Sequence, residues 1–397
     1  MTPPLLVLAP IEPCGTGNGL AMRVASFVES AADAWDVSVV VVPVSGRLPS
    51  CPRPVEVPTV VLSAPERRVV AQRAVALLAD PAWRRLLAEV EPMPAPAQGA
   101  SPAHAEAVVA AGAAGPGTPV LAMRSYLAPL GLAVAQRLGS AWSALDLDDD
   151  DESLARDQGD PATAAAYGRL VATFAPRFTA VSLASEFDAR AIDRRHGLRT
   201  HPVPNAVTVP AARVPEHHSD VILFVANLDY GPNVEAAEIL VDRVHPALEA
   251  RLGRPIRILL VGPYRSEGPL SRFSSHRAVT LTGFVEDLGD LYEQAGAVVA
   301  PLTMGSGTRI KVLEAFAHQV PVITTPVGVA GLAVRHMEQV LVADTPEDLA
   351  VAAGDVLDSP ALAQSLSAAA RTFVIRHHGA PVVAEHVRRF LHAAGRP

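Results

Sequence analysis

Lys311 is the single lysine of a chain whose lysines and arginines together number 33. The abundance of alanine, arginine and valine points to a coding bias that turns neutral lysines into arginines. A lysine kept against that bias can be needed for its compact ammonium, which a planar guanidinium does not copy. It lies in Gly305-Ser306-Gly307-Thr308-Arg309-Ile310-Lys311-Val312-Leu313-Glu314-Ala315, directly after the apolar run Ala297 to Leu302. That order reads as strand, glycine-rich turn, helix. A cation in the first turns of a helix opposes the macrodipole unless an anion is bound there too. Lys311, Glu314, Ala315 and His318 are spaced by three, four and seven, so they share one helix face. An ammonium for a phosphate and, one turn on, a carboxylate for ribose hydroxyls suit a nucleoside diphosphate. Backbone N–H groups from Gly305 to Thr308 could hold the phosphate oxygens, with glycine permitting close approach. The plain alternative is a solvated lysine in an exposed i,i+3 pair with Glu314, worth roughly 0.2–0.5 kcal/mol, beside a packed or capping His318.

These residues need elements to carry them. At 397 residues the chain exceeds a single comfortable core, and 49% apolar against 19% charged residues rules out disorder. The first half opens with a short apolar strand, Leu5 to Ala9, then the turn-rich stretch Cys14 to Gly19 and a helical run from Leu20 to about Ala34. Val37 to Val44 reads as a second buried strand. Arg67 to Val90 reads as helical, and Glu91 to Pro102, with four prolines, as a loop. Further strands are expected at Pro119 to Met123, Ser143 to Leu147 and Phe178 to Ser182. The second half restarts the pattern with strands at Val221 to Ala226, Ile256 to Gly262, Val279 to Thr282, Ala297 to Leu302, Pro321 to Thr325 and Val340 to Ala343. Helices are expected at Asn233 to Ala250, Leu288 to Gln294, Thr308 to His318 and Pro346 to Leu357. Two doubly wound parallel sheets follow, with phosphate sites at strand carboxyl ends and helix N-termini. The domain expectation is 1–207, a linker at 208–220, 221–375, and a last helical segment at 376–397.

The net charge of −8 argues against nucleic acid as the main partner. Cys14 and Cys51 are the only cysteines, so neither a disulfide framework nor a Cys-rich zinc site is expected. The start lacks a basic leader region, and Leu5 to Ile11 is too short for a signal or membrane core, so a cytoplasmic protein is expected, with peripheral membrane contact left open.

The segment from Gly305 to Ala317, followed by Val320-Pro321-Val322-Ile323-Thr324-Thr325 and Gly328, resembles family 4 of the retaining glycosyltransferases. Val203-Pro204-Asn205, Val225-Ala226-Asn227, Val261-Gly262 and Leu281-Thr282-Gly283-Phe284-Val285 agree in order and spacing. In the first half, Arg124 to Pro129 and Leu145 to Asp150 look like a subgroup of that family. The resemblance implies a GT-B fold, two Rossmann-like domains facing across a cleft, with the nucleotide sugar held mainly by the second and the acceptor by the first. It implies that the last helix, Gly379 to His392, crosses back to the first domain. Carried over position by position, Glu314 matches the glutamate that holds the ribose hydroxyls. Gly305, Ser306, Gly307 and Thr308 match the loop that meets donor sugar and β-phosphate. The first of the family's paired glutamates is replaced by Ser306. Asn227 stands where an arginine is usual, and Pro232-Asn233 where a lysine is usual. Arg309 and Lys311 are the natural replacements, both able to serve only if Arg309 precedes the regular helix.

In the first half Gly17-Asn18-Gly19 lies where this fold brings a glycine loop into the cleft, or is simply a tight turn; it does not fit the dinucleotide fingerprint. The acidic run Asp146 to Glu152 invites a metal, but two such domains do not need one, and consecutive carboxylates also cap helices, here near Asp151. No metal and no cofactor are expected. Asp148 or Asp149 is a candidate contact for an acceptor hydroxyl, Arg124 for the acceptor or a phosphate, and His104 reads as a loop histidine. The function implied is transfer of a sugar, as in hexosyltransferases, from a nucleotide diphosphate to a small, lipid-linked or glycan acceptor with retention of configuration. In this chemistry the departing β-phosphate takes the acceptor proton, and Lys311, Arg309 and Glu314 form the reacting centre. The composition suggests a bacterial source. The alternatives are a sugar-nucleotide epimerase of similar fold and a degenerate homologue that binds nucleotide or a partner without catalysis.

Overall fold

The computed structural model describes residues 2–44, 51–63, 77–111, 114–211, 219–304 and 309–395. The chain divides into two compact units, Met1–Ala206 with Val383–Pro397, and Val207–Val382. In the first, strands β1 (Pro4–Ala9), β2 (Asp36–Val41), β3 (Thr59–Val61), β4 (Val120–Met123), β5 (Ser143–Asp146), β6 (Ala180–Leu183) and β7 (His201–Pro202) form one sheet in the order β3-β2-β1-β4-β5-β6-β7. In the second, β8 (Val221–Val225), β9 (Arg257–Val261), β10 (Val279–Gly283), β11 (Ala297–Ala300), β12 (Val322–Thr324) and β13 (Leu341–Val342) run in the order β10-β9-β8-β11-β12-β13. All pairings are parallel. Both sheets are therefore doubly wound, and each reverses its strand order beside its own first strand, where such folds bind ligands.

The central strands are apolar throughout because both faces are covered. Leu5 to Ala9 are all buried, as are Val120 to Met123 and Ala297 to Ala300. Register fixes the layers: Val7 lies opposite Val39 and Leu121, and Val298 opposite Leu223 and Val322. Helices α1 (Gly19–Ala32), α2 (Pro81–Glu89), α3 (Ala95–Gly99), α4 (Ala105–Ala110), α5 (Ala128–Leu138), α6 (Asp151–Asp157), α7 (Pro161–Phe174) and α8 (Glu186–His196) belong to the first unit. The second holds α9 (Gly231–Ile239), α10 (His245–Leu252), α11 (Gly289–Gln294), α12 (Ile310–Ala317), α13 (Pro346–Asp358) and α14 (Pro360–His377). The run expected as one helix from Asn233 to Ala250 is α9 and α10 joined through a π turn at Leu240–Val244. The stretch expected as a loop at Glu91 to Pro102 contains α3, whose Ala97 is buried. Part of the helix expected over Arg67 to Val90, and part of the linker, lie outside the described residues.

The last helix, α15 (Ala380–Ala394), joins the first unit from Val383 onward. Its buried stripe of Val383, Val387, Phe390, Leu391 and Ala394 completes the core formed by Leu5, Val7, Val24, Phe27 and Val28. One expectation is corrected. Cys14 and Cys51 are joined in a disulfide, their Cα atoms 5.7 Å apart. Both lie on turns that β1 and β2 send to the same end of the sheet, and the backbone bonds Gly15 N to Arg53 O and Val55 N to Pro13 O bring the two turns together.

Candidate functional site

In the second unit the reversal point lies between β8 and β11, so the segments after these strands face each other. The segment after β8 carries Asn227 and opens α9, and the segment after β11 leads into α12. Two glycines nearby leave no room for a side chain, Gly262 where the segments after β8 and β9 meet and Gly328 just after β12. A Cβ on Gly262, whose φ is +135°, would lie 1.8 Å from Ala226 O, and one on Gly328 would lie 1.9 Å from Thr324 Oγ1. Thr324 Oγ1 donates to Ala300 O at 2.6 Å and Thr325 Oγ1 to Leu302 O at 2.5 Å, which ties the ends of β11 and β12 together.

Helix α12 is amphipathic in the sense that decides its orientation. Val312, Leu313, Ala315, Phe316 and Ala317 are buried beneath it, while Lys311, Glu314 and His318 are half-buried along the other face. Regular helix begins at Ile310, with Arg309 in the N-cap position at φ −77°, ψ 73°. Arg309 thus precedes the helix, and its Nε donates to Val327 O at 3.0 Å. Gly305, Ser306, Gly307 and Thr308 lie outside the described residues.

Lys311 reaches back across the reversal point. Its Nζ donates to Asn233 Oδ1 at 2.6 Å and sits 5.2 Å from the centroid of the buried Phe224 ring on β8. Asn233 Nδ2 donates in turn to Asn227 O at 2.9 Å, and Asn227 Oδ1 accepts from Asp229 N at 3.0 Å. One polar chain therefore links Asn227, Asn233 and Lys311, three positions scattered over the sequence. Burial, reinforced by the nearby Arg309 charge, lowers the Lys311 ammonium to about 8. Burial raises the Glu314 carboxyl to about 7 against the opposing pull of Lys311. No ion pair joins these two side chains, and nothing among the described residues donates a hydrogen bond to the Glu314 carboxylate, so the alternative of a plain surface pair is not what the chain adopts. One turn later His318 stacks on Tyr292 of α11, ring centroids 4.4 Å apart and planes 17° from parallel.

In the first unit the reversal point lies between β1 and β4. Arg124 follows β4 with φ +83°, a conformation rare for a side-chain-bearing residue, and its N–H bonds Asp146 O at 2.6 Å. Its guanidinium meets Asp148 at 3.0 Å, Asp149 at 3.3 Å and Asp151. Arg23, on α1 and buried, grips Asp146 with two bonds of 2.7 Å, reaches Asp148 at 3.3 Å, and donates to Val203 O at 3.0 Å and Asn205 Oδ1 at 2.8 Å. Burial, then the neighbouring Asp149 charge, pushes Asp148 up to about 7; Asp149 is also raised, burial again the main cause. Two arginines and four aspartates thus share one end of the sheet. Arg124, with three carboxylates around it, is not poised as a phosphate contact; the group most open at its side is Asp149.

Asp150 Oδ1 accepts from Ser153 N at 3.1 Å, so the acidic run caps α6 as well as pairing with arginines. Among the described residues no group of three or more His, Cys, Asp or Glu is placed to hold a metal ion. Asn18 is the N-cap of α1, its Oδ1 accepting from Leu20 N at 2.9 Å and Ala21 N at 3.3 Å, and Gly17 supplies the φ of +89° before it. Gly17-Asn18-Gly19 is therefore a capping turn at the carboxyl end of β1. His104 is buried at the end of a 3-10 turn rather than on a loop. Sequence reasoning missed Arg23 and Tyr292. Arg23 carried a signal, a charge set within the apolar stripe Ala21, Val24, Ala25 and Val28; Tyr292 carried none.

Residues 219–359 match a family model described as glycosyl transferases group 1. No curated protein matches the chain at a significant level. Sucrose-phosphate synthase from Thermosynechococcus elongatus superposes with a TM-score of 0.71 at 17% identity, covering 98% of each chain. HepE from Anabaena, in complex with UDP and glucose, gives 0.70 at 13% identity over 98% of this chain and 99% of its own. A UDP-forming α,α-trehalose-phosphate synthase from Burkholderia xenovorans gives 0.67 at 14% identity over the whole of both chains. The fold is GT-B, and the resemblance to glycosyltransferases read from the second-half motifs is borne out.

Proposed function

We propose that this chain is a retaining, metal-independent glycosyltransferase of family 4 that moves a hexose from a nucleoside diphosphate to a hydroxyl acceptor. The observation that carries the reading is the 2.6 Å bond from Lys311 Nζ to Asn233. The family resemblance expects a lysine at 232–233, and this chain supplies an ammonium there from another element. A lone cation and a carboxylate one helical turn apart, half-buried and unpaired with each other, suit a diphosphate and a ribose diol together. Two such groups, each shifted by burial toward its neutral form, are costly to keep in a domain that does not use them.

On this reading Lys311 stabilises the charge that develops on the β-phosphate as the glycosidic bond breaks, and the phosphate oxygen accepts the acceptor proton on the same face. Glu314 accepts from the ribose hydroxyls and holds the donor in register. Arg309, tied to Val327 O, serves at the mouth of the same helix, and the backbone of Gly305 to Thr308 is assigned to the phosphate and sugar by the resemblance. In the first unit Asp148 and Asp149 are assigned to an acceptor hydroxyl. Arg124 holds them rather than binding substrate itself. The donor is a substrate, and no cofactor is required. We place the enzyme in the cytoplasm, where the Cys14–Cys51 bridge would be unusual; no helix among the described residues is long and apolar enough to cross a membrane.

The test is calorimetric titration of UDP, GDP, ADP and their sugars, with and without magnesium, into the wild type and Lys311→Ala. UDP comes first, because the HepE structures hold UDP and UDP-glucose. Metal-independent binding of one nucleotide, weakened at least tenfold in Lys311→Ala, is expected. Failure of every nucleotide to bind would instead favour a non-catalytic homologue.

A further inference from the structure

Tyr292 is buried to 2% of its surface, and its hydroxyl has no hydrogen-bond partner among the described residues. Among the described residues, buried side-chain atoms in that condition occur also on Arg124, Arg169 and Thr200, which belong to the first unit. A tyrosine so placed is not a packing necessity, since phenylalanine fills the same space without stranding a hydroxyl. The ring is held from the α12 side by the stack on His318, one helical turn beyond Glu314, and from below by a core that includes Leu313, Phe316 and Ala317. Burial first, and the Glu314 charge second, raise the Tyr292 phenol well above its ordinary value, so the hydroxyl stays protonated and is a donor. Glu314 in turn receives no hydrogen bond from any described side chain. Tyr292, a donor without an acceptor, is thus stacked on His318, one helical turn beyond Glu314, an acceptor without a donor.

We propose that Tyr292 is a positioning residue for the nucleotide ribose: its hydroxyl donates to the Glu314 carboxylate in the ligand complex and orients it to accept from the ribose diol. The inference rests on the donor-site reading above. A carboxylate accepts several hydrogen bonds, so one from tyrosine leaves room for two from a diol. The Tyr292–His318 stack supplies the rigidity, because a hydroxyl on a locked ring fixes one carboxylate oxygen in direction as well as distance. Binding then satisfies both stranded groups at once, and part of the affinity for ribose comes from within the protein.

Tyr292→Phe separates this from a structural role. The hydroxyl makes no bond in the free protein, so the substituted protein should melt at the same temperature or higher. Its affinity for the ribonucleoside diphosphate that binds best among UDP, GDP and ADP should fall roughly ten- to a hundredfold, the worth of one lost bond to a charged group. Affinity for the 2′-deoxy counterpart should change far less, so the preference for ribose shrinks toward that of Glu314→Gln. The double variant should lose little more than Glu314→Gln alone. An unchanged ribose preference in Tyr292→Phe, or losses that add fully in the double variant, would overturn the proposal and leave Tyr292 a core residue. A wild type that binds none of the three nucleotides would overturn the donor-site reading and this inference with it.

Discussion

Glu314 and Lys311 set opposite limits on one binding event. The Glu314 carboxyl is raised to about 7 and the Lys311 ammonium lowered to about 8. A ribose diol needs the carboxylate, and a diphosphate favours the ammonium. Nucleotide affinity should therefore rise as pH climbs toward 7, fall again above about 8, and peak between. Titration calorimetry across pH 5.5 to 9.5 measures this, and a flat profile would remove both residues from the site. Glu314→Gln should abolish the acidic limb and leave the alkaline one. The same substitution has a stability consequence of definite sign. In the folded state the Glu314 carboxyl holds its proton to about 7, against 4.5 for the ordinary group. Folding stability then drops as pH rises between those values, and the full penalty applies above 7. Glu314→Gln should be more stable than the wild type at pH 8, by on the order of 2 kcal/mol, and little different near pH 4.5. Equal melting temperatures at pH 8 would mean that the carboxylate is better solvated than its surroundings imply. Activity and stability pull apart at this residue, as expected of a group kept for its chemistry.

Elements bring these residues together by devices of unequal legibility. The turns after β1 and β2 are closed by the Cys14–Cys51 bridge across a separation of 37 residues. Opening it should cost roughly 2–4 kcal/mol through the freedom returned to the unfolded chain. The melting temperature should drop on reduction, and Cys14→Ser with Cys51→Ser should melt where the reduced wild type does. Two reactive thiols in denatured protein prepared without reductant would show that the bridge is not formed. Two cysteines alone gave no sign of pairing, because partners in a disulfide are chosen by the fold and not by spacing. The long strands were legible because parallel strands covered on both faces must be apolar and favour β-branched residues. By the same logic β3 and β7 were not: Thr59–Val61 is exposed throughout, and His201–Pro202 has two residues. Helix α12 was legible from spacing, down to the face shared by Lys311, Glu314 and His318. That Lys311 points at Asn233 was not, since it depends on how closely the segments after β8 and β11 approach. Gly262 follows β9 and records instead how closely the segments after β8 and β9 meet, and only once its φ of +135° is known.

At the scale of the molecule, the chain leaves the first unit at Ala206, builds the second, and returns to the first at Val383. The returning helix α15 is structural in a strong sense. Phe390 is 1% exposed and meets the Phe27 ring edge-on at 6.2 Å, with His201 at 5.8 Å on another side. Arg388 adds a surface tie to Asp33 of 3.1 Å, which is worth little by itself. The apolar stripe therefore does the holding, and it holds the face of the sheet that α1 also covers. Phe390→Ala removes a large side chain that a rigid parallel sheet cannot collapse to replace, at a cost of roughly 3–5 kcal/mol. The second unit keeps its own core, from Phe224 and Leu260 to Val299 and Ile323, none of which includes α15. Heating Phe390→Ala should lower the transition of the first unit and leave that of the second nearly in place, while the nucleotide still binds at 25 °C. Calorimetry with and without bound nucleotide distinguishes the two transitions, because ligand stabilises only the unit that binds it. A single transition that falls as a whole, with nucleotide affinity falling alongside, would mean that the units fold as one and that the donor site depends on α15.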